Sequence, residues 1–155
     1  MKSHRKRKRA AYAFPDDYLP YLVARASHVI LHDFHSLLKR SRMRVAEWRV
    51  LGTLSAGGGR TVGALARATL FKQPTLSKLL DRLEDRGLVR RVAGGMDLRH
   101  SLVELTARGR KRIGPVVAQA RRREKQVLGA YRAKDIRAFK GLLKTFIAGF
   151  EAKGR

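Results

Sequence analysis

The pattern of apolar and polar positions predicts six helices. Over most of the chain, apolar residues recur every three or four positions, as they do along one face of an α-helix. The expected helices are residues 15 to about 40, 45–55, 62–68, 74–86, 106 to about 131, and 134–152. Thr61 and Thr106 should cap the third and fifth helices, Pro74 should begin the fourth, and Gly87 should end it.

The period changes between the fourth and fifth helices, where two short strands are expected. Residues 88–92 and 101–105 are rich in apolar and β-branched side chains, and Gly94-Gly95 lies between them. They predict a β-hairpin with a flexible tip. The fold class is therefore mainly α with a small β-hairpin wing. A helix, a turn, a second helix and a hairpin in this order are typical of the winged helix-turn-helix, a motif that reads DNA.

Length and charge narrow the class of partner. The 155 residues correspond to one domain, and 36 Lys and Arg against 12 Asp and Glu give a formal net charge of +24. A compact protein with this imbalance is expected to bind a polyanion, either nucleic acid or an anionic membrane surface, and we favour nucleic acid. No apolar run is long enough for a membrane span, and no apolar region follows the basic N-terminus as in a secretory signal. We expect a soluble, intracellular protein.

Residues 1–14 form a separate basic arm. Lys2 and the run from Arg5 to Arg9 carry like charges that no acidic residue interrupts, so this arm should be disordered when free. Two interpretations stay open, a solubilising tail and an arm that lies along DNA.

The predicted fourth helix carries side chains suited to the major groove. Four leucines share one of its faces, namely Leu76, Leu79, Leu80 and Leu83. Thr75, Lys78 and Arg82 lie within about 60° of one another on the opposite face. The hydroxyl can approach base edges, and the two cations can reach guanine or a phosphate. Gln73, at the start of the helix, can pair with adenine. An ordinary solvated face is the alternative interpretation, but the neighbouring elements favour DNA.

The hairpin tip supplies a second candidate contact. Arg99 can enter a narrow minor groove, where the negative potential is concentrated. Asp97 can hold the loop or Arg99 by an ion pair. An exposed hairpin with a weak surface pair is the alternative.

The chain lacks the signals of an enzyme or a metal protein. It has no cysteine, which excludes disulfides, thiolate zinc sites and a cysteine nucleophile. His28, His32 and His35 share one stripe at metal-capable spacing, but Asp33 is the only carboxylate near them, so we favour a solvated or subunit-facing stripe. Nucleophile elbows, dinucleotide fingerprints and suggestive carboxylate pairs do not occur. We expect a non-enzyme without metal or cofactor.

A series of short motifs between residues 45 and 112 resembles one known family. The motifs are Glu47-Trp48-Arg49-Val50-Leu51, Leu65-Ala66, Gln73-Pro74-Thr75-Leu76-Ser77, Leu83-Glu84, Gly87-Leu88-Val89, Asp97-Leu98-Arg99, Val103-Glu104-Leu105-Thr106 and Gly109. Together they are similar to the MarR family of bacterial winged-helix transcription regulators.

The resemblance implies an architecture and an activity. A single domain over residues 15–155 would hold a winged helix-turn-helix at about 45–106, flanked by dimerisation helices at about 16–40 and 107–152. A homodimer would present two lobes to a pseudo-palindromic operator in double-stranded DNA. Members of the family usually repress a gene until a small, often aromatic and anionic, effector binds between the lobe and the dimerisation helices. A cytoplasmic, nucleoid-associated bacterial repressor is therefore expected. A sequence-independent architectural DNA-binding protein stays open as the alternative.

The resemblance also implies candidate residues for each site. Contacts of the recognition helix with DNA are expected from Gln73, Pro74, Thr75, Ser77, Lys78 and Arg82, and contacts of the wing from Asp97 and Arg99. Candidates for the ligand pocket are Arg25, His28, His32, Met43, Trp48 and Arg49. Candidates for the dimer interface are Leu19 and a narrow heptad-like seam of Ile136, Phe139, Leu143, Phe146 and Phe150.

Overall fold

The computed structural model describes residues 13–93 and 101–153. Its elements are α1 (Leu19–Arg40), α2 (Val45–Leu54), β1 (Arg60–Thr61), α3 (Val62–Thr69), α4 (Gln73–Asp85), β2 (Val89–Ala93), β3 (Ser101–Leu105), α5 (Ala107–Leu128) and α6 (Ala133–Lys153). The predicted mainly helical fold with a small β wing is confirmed. Most of the basic arm, and the hairpin tip with Asp97 and Arg99, lie outside the described residues.

The first helix begins later than predicted. Tyr18 is the N-cap of α1, and Pro20 lies in its first turn. A helix begun at Asp16 would require the backbone N–H of residue 20 to donate to the carbonyl of residue 16, and proline has no N–H. Proline is tolerated in the first turn, where an N–H has no helical partner, so Pro20 sets the start of the helix.

The wing contains a third strand in addition to the predicted hairpin. β1 pairs antiparallel with β3, with Arg60 opposite Val103, and β2 pairs antiparallel with the other edge of β3. The order in the sheet is β1-β3-β2. Because β1 has only two residues, it is too short to show an alternating pattern in the sequence.

The ends of three helices follow the predicted capping pattern. The Thr61 hydroxyl accepts from the Ala64 N–H at 3.2 Å, and the Thr106 hydroxyl accepts from the Gly109 N–H at 2.9 Å. At the end of α4, Gly87 has a φ of 65° and donates to the Glu84 carbonyl at 2.7 Å. These bonds fix where α3 and α5 begin and how the chain leaves α4. Pro74 lies at the second residue of α4 rather than the first.

The core lies between the helix-turn-helix, the sheet and the first half of α5. The four leucines predicted for one face of α4 are all buried. Val50 and Leu51 of α2, Val103 of β3 and Ile113 of α5 are almost completely buried against the same cluster. No described residue of α6 is buried.

In the part of the chain that the structure describes, no helix has the length and apolarity needed to cross a membrane.

Candidate nucleic-acid interface

The outer face of α4 brings the predicted groove residues together. Five of them are exposed, namely Gln73, Pro74, Thr75, Lys78 and Arg82, while Ser77 is half-buried. The Arg82 Nε donates to the Lys78 carbonyl at 3.2 Å, which holds its guanidinium along the helix. With the leucines buried on the other side, the helix presents a hydroxyl and two cations outward, as a helix in a major groove must.

The turn between α3 and α4 is held by local contacts. The buried Thr69 hydroxyl donates to the Leu65 carbonyl at 2.7 Å, and the Phe71 N–H donates to the Ala66 carbonyl at 3.1 Å. The Arg49 guanidinium of α2 lies 5.8 Å from the centre of the Phe71 ring, within the range of a cation–π contact. These contacts fix the direction in which α4 leaves the turn.

Acidic side chains of α4 are paired with the wing. Arg91 of β2 donates through Nη2 to Asp81 at 2.7 Å and through Nη1 to Glu84. Its backbone N–H also donates to Glu84, at 3.0 Å. The hydrogen bond that Arg91 donates to Asp81 is the main cause that raises the pKa of Arg91, so the guanidinium stays charged. No pattern within one element predicts this bridge, because its members lie on different elements.

A cationic cavity of about 530 Å³ lies between the end of α1, the α4–β2 turn and α5. The residues that border it are Ser41, Arg86, Leu88, Arg108, Lys111, Arg112, Pro115 and Val116. None of these described residues is acidic, and the buried Glu47 accepts from Arg86. The Arg112 Nη2 donates at 2.8 Å to each of the Ser41 and Arg42 carbonyls. This cavity was not predicted from the sequence, although the basic run at the start of α5 was a signal for it.

The predicted ligand-pocket residues do not come together in the chain. Trp48 and Arg49 border a smaller cavity of about 310 Å³ between α2 and α3. Met43 is buried in the core, whereas Arg25, His28 and His32 are exposed along α1. The Arg25 guanidinium lies 5.6 Å from the centre of the Tyr21 ring, on its own helix. Within residues 13–93 and 101–153, no group of three His, Asp or Glu side chains is placed to hold a metal ion.

The predicted seam on α6 is an exposed apolar surface in the single chain. Phe139, Phe146 and Phe150 are 53%, 47% and 64% exposed, and the last two rings are 4.8 Å apart. Ile136 and Leu143 are half-buried, and Leu19, at the start of α1, is exposed. Exposed apolar side chains thus occur on both helices that were expected to pair.

The chain is similar to known proteins in both sequence and structure. The MarR family model matches residues 43–100. The MarR family transcriptional regulator SPO1453 from Silicibacter pomeroyi DSS-3 is 34% identical, with 90% of this chain and 99% of that chain covered and a TM-score of 0.76. The homoprotocatechuate degradative operon repressor of Escherichia coli is 25% identical over 132 residues, which are 85% of this chain and 89% of that protein.

A third relative has been solved with nucleic acid. It is the transcriptional repressor CouR bound to a 23-mer DNA duplex, which is 26% identical, covers 84% of this chain and 93% of its own, and has a TM-score of 0.69. Together with the fold, these similarities show that the chain belongs to the MarR family of winged-helix transcriptional regulators.

Proposed function

We propose that this protein represses transcription by binding a specific site in double-stranded DNA as a homodimer, and that a small anionic effector releases it. The main support for this proposal is the outward face of α4, where Thr75, Lys78 and Arg82 lie opposite buried leucines. Such a helix fits the major groove, where the hydroxyl can meet base edges and the two cations guanine or phosphate. Gln73, Pro74 and Ser77 complete the proposed contact surface.

The homodimer is supported by the exposed apolar side chains of α1 and α6. Monomeric proteins rarely leave large contiguous apolar patches in water, and the adjacent Phe146 and Phe150 rings are both exposed on α6. A second copy with two-fold symmetry would cover the same patch on both chains. It would also set two recognition helices against half-sites about one helical turn apart.

The proposed wing contact rests on sequence alone. Arg99 and Asp97 lie outside the described residues, between β2 and β3. By the resemblance to the family, an arginine at this position can enter the minor groove next to the α4 site.

The effector is proposed to be a small aromatic anion, on two grounds. One relative is named for an operon that degrades homoprotocatechuate, an aromatic carboxylate. The larger cavity here gathers four cationic side chains around the apolar surfaces of Leu88, Pro115 and Val116. This cavity is bordered by both the α4–β2 turn and α5. A ligand that prefers one arrangement of these two elements would therefore shift the spacing of the two recognition helices. The smaller cavity beside Trp48 and Arg49 is the alternative site.

Selection of bound sites from random duplexes at about 0.15 M salt tests the function, because charge alone is partly screened there. An enriched motif with two-fold symmetry, released by homoprotocatechuate, would support the whole proposal. Retention of DNA without enrichment would favour the second candidate, a sequence-independent architectural protein, which the net charge of +24 supports. Either protein would act on the bacterial nucleoid in the cytoplasm, without a catalytic role.

A further inference from the structure

The outer side of α4 contains negative as well as positive charge. Asp81 follows Lys78 by three residues and precedes Arg82, which places it about 60° around the helix from Lys78. Its side chain is 60% exposed, and that of Glu84 is partly exposed one turn further on. A phosphate that approached Lys78 and Arg82 would therefore also approach at least one carboxylate, and like charges at this range repel.

Arg91 neutralises this negative charge from the neighbouring strand. Its guanidinium spans both carboxylates, with one nitrogen on Asp81 and the other on Glu84. The backbone N–H of Arg91 donates to Glu84 as well, so the position of the guanidinium is set by the strand and not only by a flexible side chain. Two charges of α4 are thus held by one cation of the wing.

We propose that Arg91 is a positioning residue for DNA binding, which shields Asp81 and Glu84 from the phosphate backbone. This inference rests on the proposed docking of α4 on DNA. Shielding affects affinity directly, because it offsets two of the three carboxylates of α4, Asp81 and Glu84, and leaves Asp85 beside Lys78 and Arg82.

The chain offers a matched control next to Arg91. Arg90 lies on the same strand and donates to Glu104 of β3 at 3.1 Å. Arg90→Gln and Arg91→Gln remove the same charge, and each frees carboxylate from an ion pair. Only Arg91→Gln frees carboxylates on α4. The comparison therefore separates the loss of net charge from the exposure of negative charge at the recognition helix.

The test measures affinity by fluorescence anisotropy with the selected duplex, and with a random-sequence duplex at low salt. We expect Arg91→Gln to weaken binding about tenfold or more, and Arg90→Gln no more than about threefold. Adding Asp81→Asn and Glu84→Gln to Arg91→Gln should restore affinity to within about threefold of the original protein, although the bridge stays broken. A merely structural role for Arg91 would give no such rescue.

Equal losses for the Arg90 and Arg91 variants would overturn the proposal, as would a folded triple variant that remains as weak as Arg91→Gln. If a thermal melt shows that the Arg91→Gln protein does not fold, DNA affinity is compared between the Asp81→Asn/Glu84→Gln protein and the same protein with Arg91→Gln added. A tenfold loss on removing Arg91 in that background would also overturn shielding. The random duplex distinguishes failure of this inference from failure of the proposed function. The shielding of Asp81 and Glu84 from phosphates does not depend on whether a specific site exists.

Discussion

A β-carbon on Gly109 would lie 2.0 Å from the carbonyl oxygen of Leu88. This close approach packs the first turn of α5 against the α4–β2 turn. The same carbonyl accepts from the Thr106 N–H at 3.2 Å, and the Thr106 hydroxyl donates to the Gly87 carbonyl at 2.6 Å. The winged helix-turn-helix is thus joined to the long helix α5 through backbone contacts that only glycine permits.

Gly109→Ala should therefore destabilise the protein. The new methyl group would meet backbone atoms on one side and the Leu105 side chain at 3.1 Å on the other, and the backbone cannot move without breaking the Thr106 bonds. We expect a loss of about 3 kcal/mol in the free energy of unfolding, measured by urea denaturation. Gly141→Ala, in the interior of α6, is the control, because nothing outside its own helix lies within 4 Å of its added carbon. It should stabilise the helix by about 1 kcal/mol, and equal effects at both positions would contradict the packing argument.

Features that depend on local sequence were predicted from it. The leucine face of α4, the caps at Thr61 and Thr106 and the turn at Gly87 each depend on residues within one element or its flanks. The exposed positions of Thr75, Lys78 and Arg82 follow from the same helical period. Their contacts with DNA remain a prediction.

Features that depend on tertiary contact were not predicted. β1 exists because two residues pair with β3, and its own sequence is too short to show a period. Arg91 finds its acidic partners across the α4–β2 packing, seven and ten residues away. The cationic cavity combines the ends of α1 and α4 with α5, so no spacing within one helix indicates it.

The ion pair between Asp33 of α1 and Arg123 of α5 should make stability depend on acid pH. The hydrogen bond from Arg123, followed by its charge, lowers the pKa of Asp33, with a smaller contribution from His32. Since the pKa is lower in the folded state, the stabilisation is present above the carboxyl group's ordinary pKa and is lost as the pH falls through the folded value. An NMR titration should show the pKa of Asp33 rising toward its ordinary value in Arg123→Gln. An unchanged titration would mean that the pair does not form in solution.

The cationic cavity should be the site where a small aromatic carboxylate binds. Arg108→Ala/Lys111→Ala removes two of its cations, both exposed on α5, and should weaken homoprotocatechuate binding about tenfold or more in calorimetry. Arg121→Ala/Arg122→Ala removes the same charge from the exposed surface of the same helix, and should leave the affinity within about twofold. If both pairs weaken binding equally, the ligand responds to the net charge and not to the cavity.

The α6 seam should control the oligomeric state. Phe146→Asp places a charge within the exposed apolar surface beside Phe150 and should convert a dimer into monomers in sedimentation velocity. Lys144→Asp introduces the same carboxylate at an exposed position of α6 and should leave the dimer intact. Because Phe146 is already half-exposed in the single chain, the monomer should keep its helical circular dichroism. A Phe146→Asp protein that remains dimeric would place the interface elsewhere.

Lys78 and Arg82 should each contribute to the salt dependence of DNA binding. A cation that neutralises one phosphate releases about one condensed counterion, so its removal lowers the slope of log affinity against log salt by about one. Lys78→Ala and Arg82→Ala should show this decrease, whereas Arg137→Ala, an exposed cation on α6, should not. If one of these residues reads guanine instead, its removal would weaken binding to the selected site by about 1–3 kcal/mol and leave binding to random DNA unchanged. If both variants keep the original affinity and slope, the outer face of α4 does not contact DNA, and the cationic surface that binds it must be sought on another helix.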